Sequence, residues 1–147
     1  MTVNQENIIM LIRTLTLLFL LLSPFATVQA APNDDYAMVF FFRSDCPYCH
    51  RFAPKLKRVT HRQQLQTYAF SLDGQAVPHY PVPIPATPAV SQMFFDNPRN
   101  ITVPATFLIN VNSQKFVRVS IGDVSEVQLE TSIRHILSDA DTLEAIR

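Results

Sequence analysis

The sequence predicts an α/β domain, made of a βαβ unit, a short helix and a ββα unit, with a central mixed sheet of about four strands flanked by helices. Three observations predict this order. A charge-free aromatic run ends just before a Cys-x-x-Cys segment, a helical pattern begins at that segment, and three later stretches have the composition of strands. A strand, a helix and a second strand in succession form a parallel pair joined by a crossover.

The first strand is predicted over residues 37–42, which are apolar, rich in phenylalanine and free of charge. After a three-residue turn, Cys46 and Pro47 suit the N-cap and the first position of a helix, where the missing proline N–H costs nothing. The helical pattern runs to about Arg62, and Pro54 is expected to kink it. The apolar face of this helix consists of Phe52, Leu56 and Val59. Its basic residues, which we expect to form a solvated surface, are Arg51, Lys55, Lys57, Arg58 and Arg62.

A second strand and a proline-rich stretch follow. Residues 66–72 predict the strand, and Asp73-Gly74 predicts the turn that ends it. Residues 77–88 contain five prolines and predict an extended loop without regular structure. Thr87 and Pro88 suit the start of a short helix that runs to about residue 95. Packing in the core is the simplest role for the apolar residues at its end, Met93, Phe94 and Phe95. The alternative is an apolar patch near the cysteines that faces the substrate.

A hairpin and a last helix complete the order. Residues 105–111 and 115–121 predict the two strands of the hairpin, and the first strand begins after a proline, where a sheet tolerates one. Ser125 and Gln128 form a capping box for the last helix. The residues at the spacing of its buried face are Leu129, Ile133, Ile136 and Leu137. The segment after Ser138 is predicted to be a frayed helical tail.

The first thirty residues predict a secretory signal peptide. Arg13 precedes the apolar run 15–22, a Ser-Pro pair breaks the run, and Val28-Gln29-Ala30 offers a small-residue cleavage site. The run is short for a membrane span. Because the leader before Arg13 is long, Met10 is an alternative start, and retention of the leader as an anchor stays open. With cleavage after Ala30, residues 31–147 form one exported domain without stable membrane insertion, and we expect it in the periplasm, where disulfides persist.

The charges balance, with 12 basic and 12 acidic side chains. Proteins that bind nucleic acid usually carry a strongly basic patch or stripe. The balance therefore gives no reason to expect nucleic acid as a partner.

The two cysteines, Cys46 and Cys49, lie one turn apart at the predicted helix start. Unpaired backbone N–H groups and the helix dipole stabilise negative charge on Cys46 there, and the thiolate is the reactive form of a thiol. A structural disulfide is the ordinary role of two cysteines in an exported chain. A bridge over two intervening residues, however, restricts very little of the unfolded chain. The spacing thus favours thiol–disulfide chemistry by this pair, which needs no metal or other cofactor.

Two other kinds of site use a similar spacing. Cys46, Cys49 and His50 match the attachment motif for c-type haem, which would make the protein an electron carrier. The candidates for the second axial ligand are His61, His79, Met93 and His135. The strand-rich surroundings of the motif argue against this alternative. A zinc site would need four ligands, and only His50 accompanies the cysteines nearby.

Together these features resemble the thioredoxin-fold family. The Cys-x-x-Cys lies at a strand-to-helix junction, Pro54 follows five residues after the second cysteine, and Val103-Pro104 opens a later strand. In that family the later proline is cis and packs beside the cysteines, and the residue before it presents its backbone to an extended substrate peptide. The resemblance implies substrate-binding roles for Val103 and Pro104. It implies supporting roles in the active site for Pro47, Tyr48 and His50. A protonated His50 would stabilise the Cys46 thiolate, and the alternative is that His50 is simply exposed on the helix.

Within this family, the chain is most similar to the disulfide isomerase branch that includes DsbC and DsbG, and more narrowly to the thiol-disulfide isomerases of F-type conjugative transfer systems. The residues that carry this likeness include the segments 46–50, 72–75 and 104–112. The resemblance implies an exported isomerase that acts on cysteine-containing proteins of a conjugative pilus assembly system and exchanges electrons with a periplasmic redox partner. Cys46 would be the nucleophile and Cys49 the resolving thiol. A non-catalytic assembly factor with the same fold is the alternative.

Three departures from the family pattern bear on these expectations. Few residues separate Ala30 from the first strand, so the dimerisation domain of the DsbC branch is missing and we expect a monomer. The buried aspartate that thioredoxins carry beneath the cysteines is replaced by Phe40. Val103 stands where the isomerase branch often has threonine, so an oxidase role remains an alternative to isomerisation.

Overall fold

The computed structural model of the chain describes residues 33–147, so the predicted signal peptide and its cleavage site lie outside the described residues. Within that range one sheet has the strand order β3-β2-β1-β4-β5. The strands are β1 (Tyr36–Phe42), β2 (Gln66–Ser71), β3 (Ile84–Pro85), β4 (Ala105–Asn110) and β5 (Phe116–Ile121). The helices are α1 (Pro47–Arg62), α2 (Pro88–Phe94), α3 (Glu126–Ser138) and α4 (Ala140–Ala145). None of the helices described is long and apolar enough to cross a membrane.

Strand β1 is the centre of the sheet. It pairs in parallel with β2 and antiparallel with β4, which confirms the predicted βαβ unit and the mixed sheet. Its side chains alternate between two apolar faces. Met38, Phe40 and Phe42 belong to a first core, whereas Val39 and Phe41 belong to a second. Because both faces are covered, the strand needs no polar positions, and its sequence is a continuous apolar run.

The first core fixes the cysteine-bearing helix on the sheet. Phe40 stacks on Phe42 with ring centroids 5.0 Å apart and lies 5.7 Å from Phe52 of α1. The fully buried helix residues in this core are Cys49, Phe52, Ala53, Leu56 and Val59 of α1 and Leu129 and Ile133 of α3. They include the apolar face of α1 that the helical spacing predicts, and α1 is therefore held along its length by buried contacts.

The second core is a cluster of aromatic rings around Phe41, on the side of the sheet that α2 covers. Phe41 lies 5.2 Å from Phe94 and 4.9 Å from Phe95, measured between ring centroids. The predicted packing of these two residues is confirmed. The same prediction is wrong for Met93, whose side chain is 52% exposed. It lines an open apolar hollow over β2 and β4.

The sheet has five strands, one more than predicted. The additional strand is β3, which lies in the proline-rich loop and pairs in parallel with the end of β2. The Ala86 N–H completes the pairing by donating to the Ser71 carbonyl at 2.8 Å. A strand at the edge of a sheet needs hydrogen bonds on one side only, so the prolines of this loop do not prevent it. The tail after Ser138 is also more regular than expected, since α4 forms there.

The basic surface of α1 is not simply solvated. Four of its five residues form ion pairs with acidic side chains of α3 or of the turn before it. Lys55 and Arg51 pair with Asp123, at 2.6 Å and 3.2 Å. Arg58 and Arg62 pair with Glu126, and Arg62 also reaches Glu130. This row of ion pairs, together with the buried face beneath it, joins α1 to α3.

Candidate active site

Cys46 caps the helix that begins at Pro47, as the sequence predicts. Its backbone is extended, with φ −92° and ψ 108°, and its Sγ accepts a hydrogen bond from the Cys49 N–H at 3.2 Å. An N-cap side chain that accepts such a bond satisfies one of the orphan donors at a helix start. A sulfur in this position faces a backbone N–H and the positive end of the helix dipole.

The two cysteines differ in exposure. Cys46 is partly exposed, whereas Cys49 is 0% exposed and belongs to the first core with Phe40 and Phe52. Burial, followed by the hydrogen bond with Cys46, raises the pKa of the Cys49 thiol to about 12. Phe40 itself is fully buried in the same core. Cys49 and Phe40 thus share one apolar core.

Val103 and Pro104 lie beside the reactive pair. The Cys46 Sγ is 3.9 Å from the carbonyl oxygen of Val103, and the Val103–Pro104 peptide bond is cis. The Gly122 N–H donates to the Pro104 carbonyl at 2.7 Å, which ties this segment to the end of β5. The structure therefore brings together the cysteines and the two residues for which the family resemblance implies substrate binding.

Tyr48, between the cysteines, points outward. It is 57% exposed, and the guanidinium carbon of Arg51 lies 4.6 Å from the centroid of its ring. Arg51 in turn pairs with Asp123. One side of the tyrosine ring is thus covered by a cation, while the side chain as a whole remains accessible next to Cys46.

His50 contacts the turn that precedes Cys46. Its Nε2 lies 2.6 Å from the Ser44 carbonyl oxygen and donates to it in the tautomer protonated at that nitrogen. The histidine is exposed. This hydrogen bond joins α1 to the turn before Cys46. The predicted alternative, direct stabilisation of the Cys46 thiolate by a protonated ring, stays a prediction.

Asp73 makes a contact with the turn before Cys46 that the sequence does not predict. Residues 72–75 carry part of the family likeness and predict the turn after β2, but not that Oδ2 of Asp73 accepts both the N–H and the hydroxyl of Ser44 at 2.8 Å. Burial raises the pKa of Asp73, but hydrogen bonds from Ser44, Ser71 and Gln75 outweigh it and hold the pKa well below its ordinary value. The two partners are 29 residues apart, so no local pattern signals the contact.

Two of the four candidate axial ligands for haem, His61 and Met93, lie away from the cysteines. His61 lies in the last turn of α1, about 20 Å along the helix axis from Cys46 at 1.5 Å per residue. Met93 lines the hollow of the second core, whereas Cys46 packs against the first core, on the other side of the sheet. Within residues 33–147 no group of three or more His, Cys, Asp or Glu side chains is arranged to hold a metal ion.

Residues 27–134 match the family model of TraF, F plasmid transfer operon protein. The chain belongs to this family. A second comparison gives the same result: over 79 residues the chain is 39% identical to Protein TrbB of Escherichia coli strain K12. That alignment covers 54% of this chain and 43% of TrbB, so it spans less than half of the relative's length. The predicted likeness to F-type transfer proteins is confirmed.

Solved structures identify the fold of this TraF-family protein. DsbF of Mycobacterium tuberculosis matches with a TM-score of 0.54 at 19% identity, over 71% of this chain and 82% of that one. A protein assigned as the thiol:disulfide interchange protein DsbE of Chlorobium tepidum matches with a TM-score of 0.54 at 18% identity, over 73% and 83%. A thioredoxin-related protein of Neisseria meningitidis serogroup B matches with a TM-score of 0.52 at 15% identity, over 80% and 93%. The predicted thioredoxin-like fold is confirmed.

Proposed function

We propose that this TraF-family protein is an exported thiol–disulfide oxidoreductase, and more narrowly a disulfide isomerase for proteins of a conjugative pilus assembly system. The observation that carries the proposal is the unequal exposure of two thiols on one helical turn: Cys46 is accessible and caps the helix, while Cys49 is fully buried behind it. An accessible thiolate and a protected partner are what attack and resolution require.

The reaction begins with the Cys46 thiolate. It attacks one sulfur of a substrate disulfide, forms a mixed disulfide with that sulfur and releases the other substrate sulfur as a thiolate, which takes a proton from water. When another substrate thiolate then attacks the same substrate sulfur, a new substrate disulfide forms and Cys46 leaves as a thiolate. No electrons are gained or lost overall, and the substrate is isomerised.

The competing step is resolution by Cys49. Its thiolate attacks the Cys46 sulfur, the substrate leaves as a reduced thiolate, and the Cys46–Cys49 disulfide retains the oxidation. The pair is then oxidised by two electrons and needs a redox partner to reduce it. Burial raises the pKa of Cys49, so resolution requires its thiol to lose a proton inside the apolar core. Rearrangement of the substrate before this step gives isomerisation, and resolution before rearrangement gives reduction.

Substrate contact is assigned to the segment before β4. The Val103 carbonyl faces the Cys46 sulfur at 3.9 Å, so an extended peptide held by this backbone would lie next to the thiolate. Tyr48, between the two cysteines, adds an exposed aromatic surface. The partners proposed are exported proteins with cysteines, including those of the transfer apparatus suggested by the TraF and TrbB matches.

The proposed location is the periplasm, with residues 1–30 removed and the mature protein a monomer. Fractionation of cells that express the full chain, followed by N-terminal sequencing, tests this directly. A mature protein in the periplasmic fraction that begins at Ala31 is expected. An intact leader in the membrane fraction would show that it is kept as an anchor.

The test of activity uses the protein recovered from a periplasm. Equilibration with graded glutathione buffers gives the potential of the Cys46–Cys49 pair, and we expect about −180 mV or lower, since a pair near the −120 mV of DsbA would be a disulfide donor. The second measurement is the recovery of a reporter enzyme whose disulfides have been scrambled, with Cys46→Ser as the inactive control. A pair that does not exchange with glutathione would overturn the proposal.

The non-catalytic alternative is tested in cells. A double variant, Cys46→Ser with Cys49→Ser, abolishes thiol–disulfide exchange and replaces only one atom, the sulfur, in each side chain. We expect it to lose the biological activity of the protein. Full activity in the double variant would show that the fold serves as a binding module.

A further inference from the structure

We propose that Asp73 is a positioning residue for the reactive thiol, because its carboxylate fixes the turn from which Cys46 enters the helix. The inference rests on the proposed function, since it assigns Asp73 a role through Cys46. Asp73 acts on the reacting sulfur through Ser44 and does not itself contact the substrate.

The carboxylate of Asp73 is fully used by the surrounding groups. Oδ2 accepts the N–H and the hydroxyl of Ser44, both at 2.8 Å. Oδ1 accepts the hydroxyl of Ser71 at 2.8 Å and the N–H of Gln75 at 3.2 Å. Two of the four bonds hold the carboxylate at the end of β2, and the other two hold Ser44. Asp73 thus joins the rigid end of a central strand to the active-site turn.

Ser44 is held from both sides of its backbone. Asp73 accepts its N–H, and His50 of α1 lies 2.6 Å from its carbonyl oxygen. Between these two anchors and the sulfur there is only Asp45. The other contacts of the turn are weaker: an exposed ion pair between Arg43 and Asp45, and a bond of 3.4 Å from the Cys46 N–H to the Arg43 carbonyl.

The turn must be fixed because the helix cap requires the Cys46 side chain to point at the Cys49 N–H. The Cys46 Sγ accepts the Cys49 N–H only while the backbone of Cys46 keeps its extended cap conformation. Loss of the Ser44 anchor would let the turn move and would weaken that bond. The thiolate would then lose the N–H that stabilises it, and the disulfide form would become favoured over the reduced form.

A simple charge effect would have the opposite sign, which makes the proposal testable. Asp73 is an anion near a developing thiolate, so removal of its charge alone would stabilise the thiolate and make Cys46 more reactive. Positioning predicts the reverse. Asp73→Asn removes the charge and replaces one acceptor by a donor, whereas Asp73→Ala removes all four hydrogen bonds.

The experiment measures the alkylation rate of Cys46 by iodoacetamide across pH, and the glutathione equilibrium of the pair, in the full chain and its variants. Both Asp73 variants are expected to lower the alkylation rate near neutral pH by about fivefold, the value of one hydrogen bond. The same factor in the glutathione equilibrium is about 20 mV toward more negative potential, at about 30 mV per tenfold. Asp139→Asn is the matched control, since Asp139 caps α4 with its carboxylate far along the chain from the cysteines.

A faster alkylation in Asp73→Asn would overturn the proposal in favour of a charge effect. A lower thermal midpoint with an unchanged rate and potential would reduce Asp73 to a structural role. Ser44→Ala, which removes only the hydroxyl bond, serves if the Asp73 variants fail to fold, and it must shift the rate in the same direction. Alkylation does not depend on isomerase activity, so wild-type protein with a reactive Cys46 but no isomerisation would contradict the proposed function alone.

Discussion

The Cys46 sulfur lies 3.9 Å from the carbonyl oxygen of Val103, although the two residues are 57 positions apart in the chain. The sheet explains this proximity. Phe41 near the end of β1 pairs with Ala105 at the start of β4, because the two strands are antiparallel. The segment after β1 and the segment before β4 must therefore meet at the same end of these two neighbouring strands. The active site is a consequence of that pairing.

The first prediction separates the roles of the two cysteines. With Cys49→Ser the resolving thiol is absent, so the mixed disulfide between Cys46 and a substrate protein should accumulate, because only another substrate thiol can release it. Non-reducing gels and mass spectrometry of protein recovered from cells measure this adduct. Cys46→Ser is the matched control and should give no adduct. If the mixed disulfide accumulated in Cys46→Ser instead, Cys49 would be the nucleophile and Cys46 the resolving thiol.

The second prediction concerns the burial of Cys49. In the Cys46→Ser variant it is the single thiol of the chain. Its side chain is 0% exposed in the wild type, and burial, which raises its pKa, does not depend on Cys46. Alkylation by iodoacetamide at pH 8 should be at least about 100-fold slower in the folded protein than in urea, because both the thiolate fraction and the access are reduced. Equal rates with and without urea would show that Cys49 is accessible.

Local signals account for what the sequence predicts well. Cys46, Thr87 and Ser125 were each predicted to begin a helix, and each does so as an N-cap whose side chain accepts a backbone N–H within its own first turn. The apolar faces of α1 and α3 follow in the same way from spacing. Such features depend on residues three or four positions apart, which the sequence displays directly.

The features that were missed depend on distant partners. Asp73 reaches Ser44 across 29 residues, and Arg58 reaches Glu126 across 68. Strand β3 has two residues, one of them a proline, and exists because the end of β2 offers it a partner. In each case the side chain or segment is ordinary by itself. Only the packed fold decides what it contacts.

A third prediction tests the aromatic core behind the site. Phe41 is fully buried, and its ring lies within about 6 Å of four others, those of Phe70, Phe94, Phe95 and Phe107. Phe41→Ala should lower the free energy of unfolding by about 3–5 kcal/mol, because it removes a large side chain and leaves a cavity. Urea denaturation measures the change. Met93→Ala, at a side chain 52% exposed on the same face of the sheet, should cost much less. Equal losses would contradict the assignment of Phe41 to a close-packed core.

The last prediction uses the ion pair that joins α1 to the turn before α3. The side chain of Asp123 is 13% exposed and accepts hydrogen bonds from Lys55 and Arg51. Burial raises the pKa of Asp123, but the bonds from Lys55 and Arg51 outweigh it and hold the pKa below its ordinary value. A carboxyl whose pKa is lowered by folding stabilises the protein above the pKa of the unfolded chain, about 3.9 for aspartate, and loses that contribution as the pH falls through the lower, folded value.

Asp123→Asn should therefore lower the free energy of unfolding by about 1–2 kcal/mol at pH 7, where the wild-type carboxylate is fully ionised. The difference between the two proteins should narrow as the pH falls from 5 towards 3, since the wild type then loses the same interaction. Urea denaturation at a series of pH values measures both quantities. Glu144→Gln, which removes an exposed pair with Arg147, is the control and should leave stability unchanged at each pH. A difference between wild type and Asp123→Asn that stayed constant down to pH 3 would mean that the charge of Asp123 is not what holds α1 to this turn.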